Sequence, residues 1–254
     1  MLRDLIRKNP LGVLTTSISS TSHPKILSSH IPFVLDYDEE SSSSGESNPG
    51  VLRGHLARAN PQSKVMIEEI QSRFDGNTDG KAECLEEEVL VLFTAAAHHY
   101  VTPKFYTETK PSTGKVVPTW NYAAAQAYGK AKIYYSSKDA ESGSFLSKQI
   151  RDLSQLAEVG LMGYDGKEKA GPWKVSDAPE RYIETIQKAI IGIEIVIDRL
   201  EGKFKMSQEM GEGDRMGVVK GFEGLGTQIG EEMATVVRER GELKDERVKA
   251  SKGE

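Results

Sequence analysis

A chain of 254 residues with 37% hydrophobic side chains has room for one large domain or two small ones around a real core, which excludes wholesale disorder. Its formal net charge of -5 argues against non-specific nucleic-acid binding through a globally basic surface. The single cysteine, Cys84, excludes an intrachain disulfide framework and a cysteine-cluster metal site, and its acidic neighbours Glu83, Glu86, Glu87 and Glu88 disfavour a thiolate.

The first residues predict a short helix ending near Asn9-Pro10, because proline disfavours helix in the residue before it. Two β-rich runs follow, Leu11 to Ile18 and Ile26 to Leu35, and the Ser/Thr-rich spacer between them predicts a hairpin. Asp36 to Gly50 is an acidic, Ser-rich low-complexity stretch with nothing to bury, read as a tolerated loop insertion. A strand over Val51 to Arg58 runs into Asn60-Pro61, a helix cap followed by proline in the first turn, and the helix continues to about Phe74. A charged loop, Asp75 to Glu87, leads to a strand over Val89 to Thr94. Val116 to Tyr135 reads as two strands or one long bent one. Ser136 to Val159 reads as a helix opened by Ser136 and Asp139.

Another helix starts at Asp177-Ala178-Pro179-Glu180, with Tyr182, Ile183, Ile186 and Ile190 at helical spacing. Ile191, Ile193, Ile195 and Ile197 then alternate with Gly192, Glu194, Val196 and Asp198, the clearest strand in the chain. It continues through Gly202 into Lys203-Phe204-Lys205-Met206-Ser207-Gln208, and Arg238 to Glu254 forms a mixed-charge tail. Strands with helices inserted irregularly between them favour a mainly β fold with α additions (α+β), a barrel rather than a doubly wound sheet. The expected division is a domain over 1–225 and a C-terminal helix and charged tail over 226–254. No apolar run reaches bilayer-spanning length, the best being Ala189 to Ile197 with Glu194 inside it. The charged start Met1 to Lys8 lacks the apolar segment of a signal peptide, so a cytoplasmic location is expected.

Three segments could carry chemistry. On a strand, Arg53 and His55 share a face and Arg58 lies near the exit, beside the helix start at Asn60. Cations next to a helix N-terminus make a phosphate or carboxylate site, and Gly54 would permit close approach. In Val116-Val117-Pro118-Thr119-Trp120-Asn121-Tyr122, Trp120 and Tyr122 line one strand face and Thr119 and Asn121 the other. The aromatic pair could stack on a planar ligand or belong to the core. Lys203, Lys205 and Ser207 alternate with Phe204, Met206 and Gln208, so the lysines are either solvated or placed to stabilise negative charge that develops on reduction of a ring. His98-His99 does not read as a metal site, because adjacent strand residues point to opposite faces. Neither a phosphate-binding glycine fingerprint nor a Gly-x-Ser-x-Gly elbow is present.

In this order, several blocks resemble the PaiB-type family, FMN-binding proteins that also carry the label of negative transcriptional regulators. The blocks are Ser29-His30-Ile31-Pro32, Leu52-Arg53-Gly54-His55 with Ala57-Arg58-Ala59-Asn60-Pro61-Gln62, and Tyr100-Val101-Thr102-Pro103 with Phe105-Tyr106. They continue with Val117-Pro118-Thr119-Trp120-Asn121-Tyr122, Ile191-Gly192-Ile193-Glu194, and Glu201-Gly202-Lys203-Phe204-Lys205-Met206-Ser207-Gln208. The likeness runs from about Leu11 to Leu225, and the enlarged loops resemble fungal members. The family's short segment before the first helix is absent here, so a truncated or alternatively started form is expected. The family's Gly-Pro before the Tyr-Val-Thr-Pro block is replaced by Ala95-Ala96-Ala97-His98-His99.

The resemblance implies an FMN-binding split β-barrel, a homodimer with FMN at the subunit interface, and a flavin-dependent oxidoreductase. It places Arg53, His55, Arg58 and Asn60 by the FMN phosphate. Thr119, Trp120, Asn121 and Tyr122 fall by the ring or ribityl chain, and Lys203, Lys205, Ser207 and Gln208 by the ring edge. No side chain stands out as an acid–base catalyst. Two alternatives stand beside this reading. One is a PaiB-type transcriptional regulator or partner-binding protein, although no helix-turn-helix signal supports direct nucleic-acid binding. The other is a haem-binding split barrel using His30, His55, His98 or His99.

Overall fold

A computed structural model describes residues 1–37, 49–74, 80–136 and 138–252. Most of the Ser-rich stretch after Asp36, and part of the charged stretch after Phe74, lie outside the described residues. The elements in chain order are α1 (Leu2–Lys8), β1 (Leu11–Ser17), β2 (Ile26–Pro32), β3 (Val34–Asp36), β4 (Val51–Ala57) and α2 (Pro61–Arg73). Then come β5 (Glu83–Thr94), β6 (His99–Val101), α3 (Thr109–Thr113), β7 (Thr119–Tyr134) and α4 (Ala140–Gln155). The last are α5 (Glu180–Lys188), β8 (Ile190–Lys205), α6 (Glu212–Glu223) and α7 (Gln228–Lys252). An antiparallel sheet with inserted helices agrees with the α+β class the sequence predicts, although the helices take more of the chain than expected.

The chain folds as two compact units. The first joins Met1–Phe93 with Gln126–Glu201; the second joins Thr94–Ala125 with the chain from Gly202 onward. In the first unit the strand order is β2-β1-β5-β7-β8-β4-β3. The expected hairpin forms, β1 pairing antiparallel with β2 from Leu11 opposite Pro32 to Ser17 opposite Ile26. The predicted run Ile26 to Leu35 is broken at Phe33, which leaves the strand to bury its ring edge-on against Phe93, 5.9 Å between centroids. β4 pairs antiparallel with β8, setting Gly54 opposite Ile193 and His55 opposite Gly192. The alternation in β8 holds: Ile191, Ile193, Ile195 and Ile197 are buried while Val196 and Asp198 face out.

Helix α2 starts as expected, its Asn60 Oδ1 accepting the Gln62 N–H at 2.8 Å. Gln62 is itself buried and donates to the Leu27 carbonyl and the Thr16 hydroxyl, both at 3.0 Å, tying the helix start to the hairpin. β5 begins at Glu83, earlier than its apolar residues suggest, because Leu85 already alternates into the core between exposed Cys84 and Glu86. Val116 to Tyr135 resolves into one strand from Thr119. The predicted Ser136 to Val159 helix begins after Asp139, whose carboxylate caps Ser142 N–H at 2.9 Å, and its last turns from Leu156 widen to π spacing. Ile190 belongs to β8 rather than to the preceding helix, and the apolar stripe of α5 is uncovered, with Tyr182 59% and Ile186 44% exposed.

In the second unit β6 pairs with the first residues of β7, His99 opposite Asn121. Helix α6 was not legible as a helix, since Gly213, Gly217 and Gly221 each weaken helical propensity. Their spacing of four puts them on one face, where side chains would collide with Phe105, Thr107 and Glu108. α7 buries Met233, Ala234 and Val237, and the charged tail from Arg238 continues it as helix. Arg238 pairs with Glu223 at 2.6 Å, Arg215 with Asp245, and Arg240 stacks over the Phe204 ring at 3.7 Å.

Candidate functional site

In the first unit the chemistry-bearing residues follow β4 into α2. Arg53 and His55 do share a strand face, but α4 packs over it. The Arg53 guanidinium, 4% exposed, donates to both Asp36 oxygens at 2.5 and 2.9 Å, to Asp152 Oδ2 at 2.7 Å and to Gln149 Oε1 at 3.1 Å. Gln149 in turn donates to the Arg53 carbonyl at 3.1 Å. Burial opposes the charge on Arg53, but the two carboxylates outweigh it and raise its pKa. Asp152 feels the converse: burial opposes its charge, yet Lys148 and Arg53 hold its pKa down. The expectation of an open anion contact at Arg53 is therefore corrected, because four of its five N–H donor positions serve an internal network. Gly54 is corrected likewise. A Cβ there would lie 2.9 Å from the Phe33 ring, so the glycine makes room for core packing rather than for a ligand.

His55 is half-buried, and its Nδ1 is buried without a hydrogen-bond partner among the described residues. Burial lowers its pKa below the ordinary 6.5, which keeps the imidazole neutral near pH 7. Asn60 is occupied as a helix cap, and its amide also donates to Ser29 Oγ at 3.2 Å. Arg58 is different. Its Nε donates to the Lys188 carbonyl at 3.2 Å and one Nη to the Tyr135 carbonyl, which fixes the planar group without neutralising it. Arg58 and the exposed ammonium of Lys64 border an open cleft of about 540 Å³ floored by Ala59, Ile67 and Ala189, with Glu68 and Gln71 at its side. Lys64 was not singled out by sequence reasoning. The signal was there, since Lys64 follows the Asn60 cap by four residues and so lies on the same helix side.

In the second unit the start of β7 meets the turn after β8. Asn121 and Ser207, both fully buried, exchange hydrogen bonds of 3.0 and 3.2 Å. Ser207 holds φ at 59°, a left-handed conformation unfavourable for a non-glycine residue. Gln208 folds back on the same turn, accepting from Met206 N–H at 2.6 Å and donating to the Phe204 carbonyl. Lys205 donates to the Thr119 hydroxyl. Thus Asn121 pairs with Ser207 and Thr119 with Lys205, while Gln208 bonds the backbone of the same turn. Trp120 is 48% exposed; it donates to His98 Nδ1 at 3.3 Å and meets the Tyr100 ring edge-on at 6.3 Å. It is therefore a surface platform rather than core, with Tyr122 half-buried and Lys203 exposed. Among the described residues no cluster of three His, Cys, Asp or Glu is placed to hold a metal ion.

Residues 1–199 match the family described as "Putative FMN-binding domain". The chain belongs to this family. That agrees with the resemblance carried by the sequence blocks. A protein of Emericella nidulans is 60% identical over 248 residues, covering 97% of this chain and 95% of the relative. "Protease synthase and sporulation protein PAI 2" of Bacillus subtilis is 23% identical over 237 residues, covering 93% and 90%. Among solved structures, the FAD and heme binding protein from Mycobacterium smegmatis is similar at 16% identity and a TM-score of 0.42, covering 80% of this chain and 69% of that one. Among the described residues no helix is long and apolar enough to cross a membrane.

Proposed function

We propose that this FMN-binding-domain protein binds FMN as a redox cofactor, in a homodimer, and acts as a flavin-dependent oxidoreductase. The observation that carries the reading is the Arg58–Lys64 cleft. It sets two cations, Arg58 and Lys64, along the flank of α2 among the apolar residues Ala59, Ile67 and Ala189, with one carboxylate, Glu68, in the same lining. That donor set suits a phosphate ester with an apolar or planar body. Arg58 and Lys64 would hold the phosphate, and Asn60 would keep the helix start in place. In the second unit, Trp120 offers an exposed ring face on β7 and Lys203 an exposed cation on β8, and Thr119, Asn121, Lys205, Ser207 and Gln208 tie the start of β7 to the turn after β8. Bound FMN would supply the electron transfer; the chain supplies orientation and charge. Strands β2 and β3 end the strand order among the described residues, and a symmetric partner is the common way to cover such ends.

The test is a fluorescence titration of apo-protein with FMN. A charge-assisted contact is worth about 1.5–3 kcal/mol, so Arg58→Ala and the exposed Lys64→Gln should each weaken binding roughly tenfold to a hundredfold. Light scattering of the FMN-loaded protein should give twice the chain mass. Reduction of the bound flavin by a nicotinamide or other small-molecule donor under anaerobic conditions tests the oxidoreductase assignment. Unchanged FMN affinity in both variants would remove the phosphate assignment.

A further inference from the structure

A second pocket, lying wholly in the second unit, shares only Thr119 with the flavin reading. It is an open pocket of about 310 Å³, at the low end of small-molecule sites, and Tyr106, Lys115, Pro118, Glu209, Met210 and Asp214 contribute to it. Tyr106 is 5% exposed, and its hydroxyl is buried with no hydrogen-bond partner among the described residues. An unmet buried hydroxyl is a standing cost that an occupant with a suitable polar atom would remove. Burial, with Glu209 and Asp214 adding to it, raises the Tyr106 pKa, so the phenol stays protonated and able to donate.

The charges around the cavity are unlike one another. Asp214 is already satisfied, its carboxylate accepting N–H groups of Glu108 and Thr109 at 2.8 and 3.2 Å. Lys115 and Glu209 border the same space, yet among the described residues neither has an ion-pair partner within 4.0 Å, each other included. Two opposite charges left open around one cavity suit a ligand that carries both signs. The remaining lining is mixed, apolar at Val116, Val117, Pro118 and Met210 and polar at Thr109 and Thr119.

We infer that this cavity binds a small zwitterion of amino-acid size, its anionic group held by Lys115 and the Tyr106 hydroxyl and its cationic group by Glu209. The inference goes beyond the flavin assignment and does not depend on it. Calorimetric titration of the full chain, with and without FMN, uses L-phenylalanine, L-leucine and L-glutamine as probes. The single-charge analogues 3-phenylpropanoate and 2-phenylethylamine serve as their controls. At least one amino acid should bind about tenfold tighter than either control, because each lost charged contact is worth about that factor. Lys115→Gln should weaken the amino acid and 3-phenylpropanoate but not 2-phenylethylamine. Tyr106→Phe should weaken the amino acid while leaving FMN affinity unchanged and the thermal midpoint of the free protein equal or higher. Three results would overturn the proposal: no amino acid binding, equal affinity for zwitterion and controls, or displacement of the probe by FMN.

Discussion

Replacing Arg53 by methionine separates a structural arginine from a phosphate ligand. The guanidinium makes four hydrogen bonds, three of them to the carboxylates of Asp36 and Asp152, and is almost fully buried. Removing one partner of a fully buried pair costs ~3–5 kcal/mol. Here Asp36 and Asp152 remain 46% and 33% exposed and recover water once released, and methionine refills the apolar part of the space. The expected loss is therefore about 2–3 kcal/mol. Urea unfolding followed by circular dichroism should show it as a lower midpoint with an unchanged slope. FMN affinity of the folded variant should stay within about threefold of wild type, since a lost charge-assisted contact would exceed that. A wild-type unfolding midpoint combined with a tenfold or larger loss of FMN affinity would refute the reasoning and return Arg53 to the phosphate.

Three further outcomes follow from the same geometry. The folded-state pKa of His55 lies below its ordinary 6.5, so unfolded chains take up a proton that folded chains refuse. Stability should be fully present above about pH 6.5 and fall below it. Thermal midpoints from pH 8 to 5 should show this slope, and His55→Gln should flatten it; the lowered Asp152 acts only in acid below its ordinary 3.8. Gly54→Ala should destabilise by about 1–3 kcal/mol through overpacking against Phe33, read as a lower urea midpoint. Ser207→Ala keeps the strained backbone but orphans buried Asn121, so a loss of about 1–3 kcal/mol is expected, and a variant as stable as wild type would mean that the pair contributes nothing.

Elements whose pattern is local were legible in the sequence. Alternating isoleucines marked β8, Asn60-Pro61 marked the start of α2, and the Ser/Thr spacer marked the β1–β2 hairpin. What escaped depends on tertiary partners. The glycines of α6 left that helix unpredicted because their use, close approach to Phe105, appears only once that segment is beside them. Within the candidate site, residue types were read correctly and their occupancy was not. Arg53 has the chemistry of an anion ligand, but Asp36 lies 17 and Asp152 99 residues away in sequence, and no strand pattern reveals that both will claim it. Thr119 and Asn121 are likewise taken up by Lys205 and Ser207, 86 residues further on. Arg58 is steadied by backbone carbonyls, which leave its charge uncancelled, and Lys64 beside it was passed over in the sequence.

The central claim is that this chain takes up FMN, and the most direct measurement is the absorption spectrum of the protein after incubation with FMN and removal of free flavin by gel filtration. Flavin bands at ~370 and ~450 nm, at about one FMN per chain, are the predicted result. A protein that emerges colourless, or that rejects FMN and instead takes up haem with a Soret band, would contradict it.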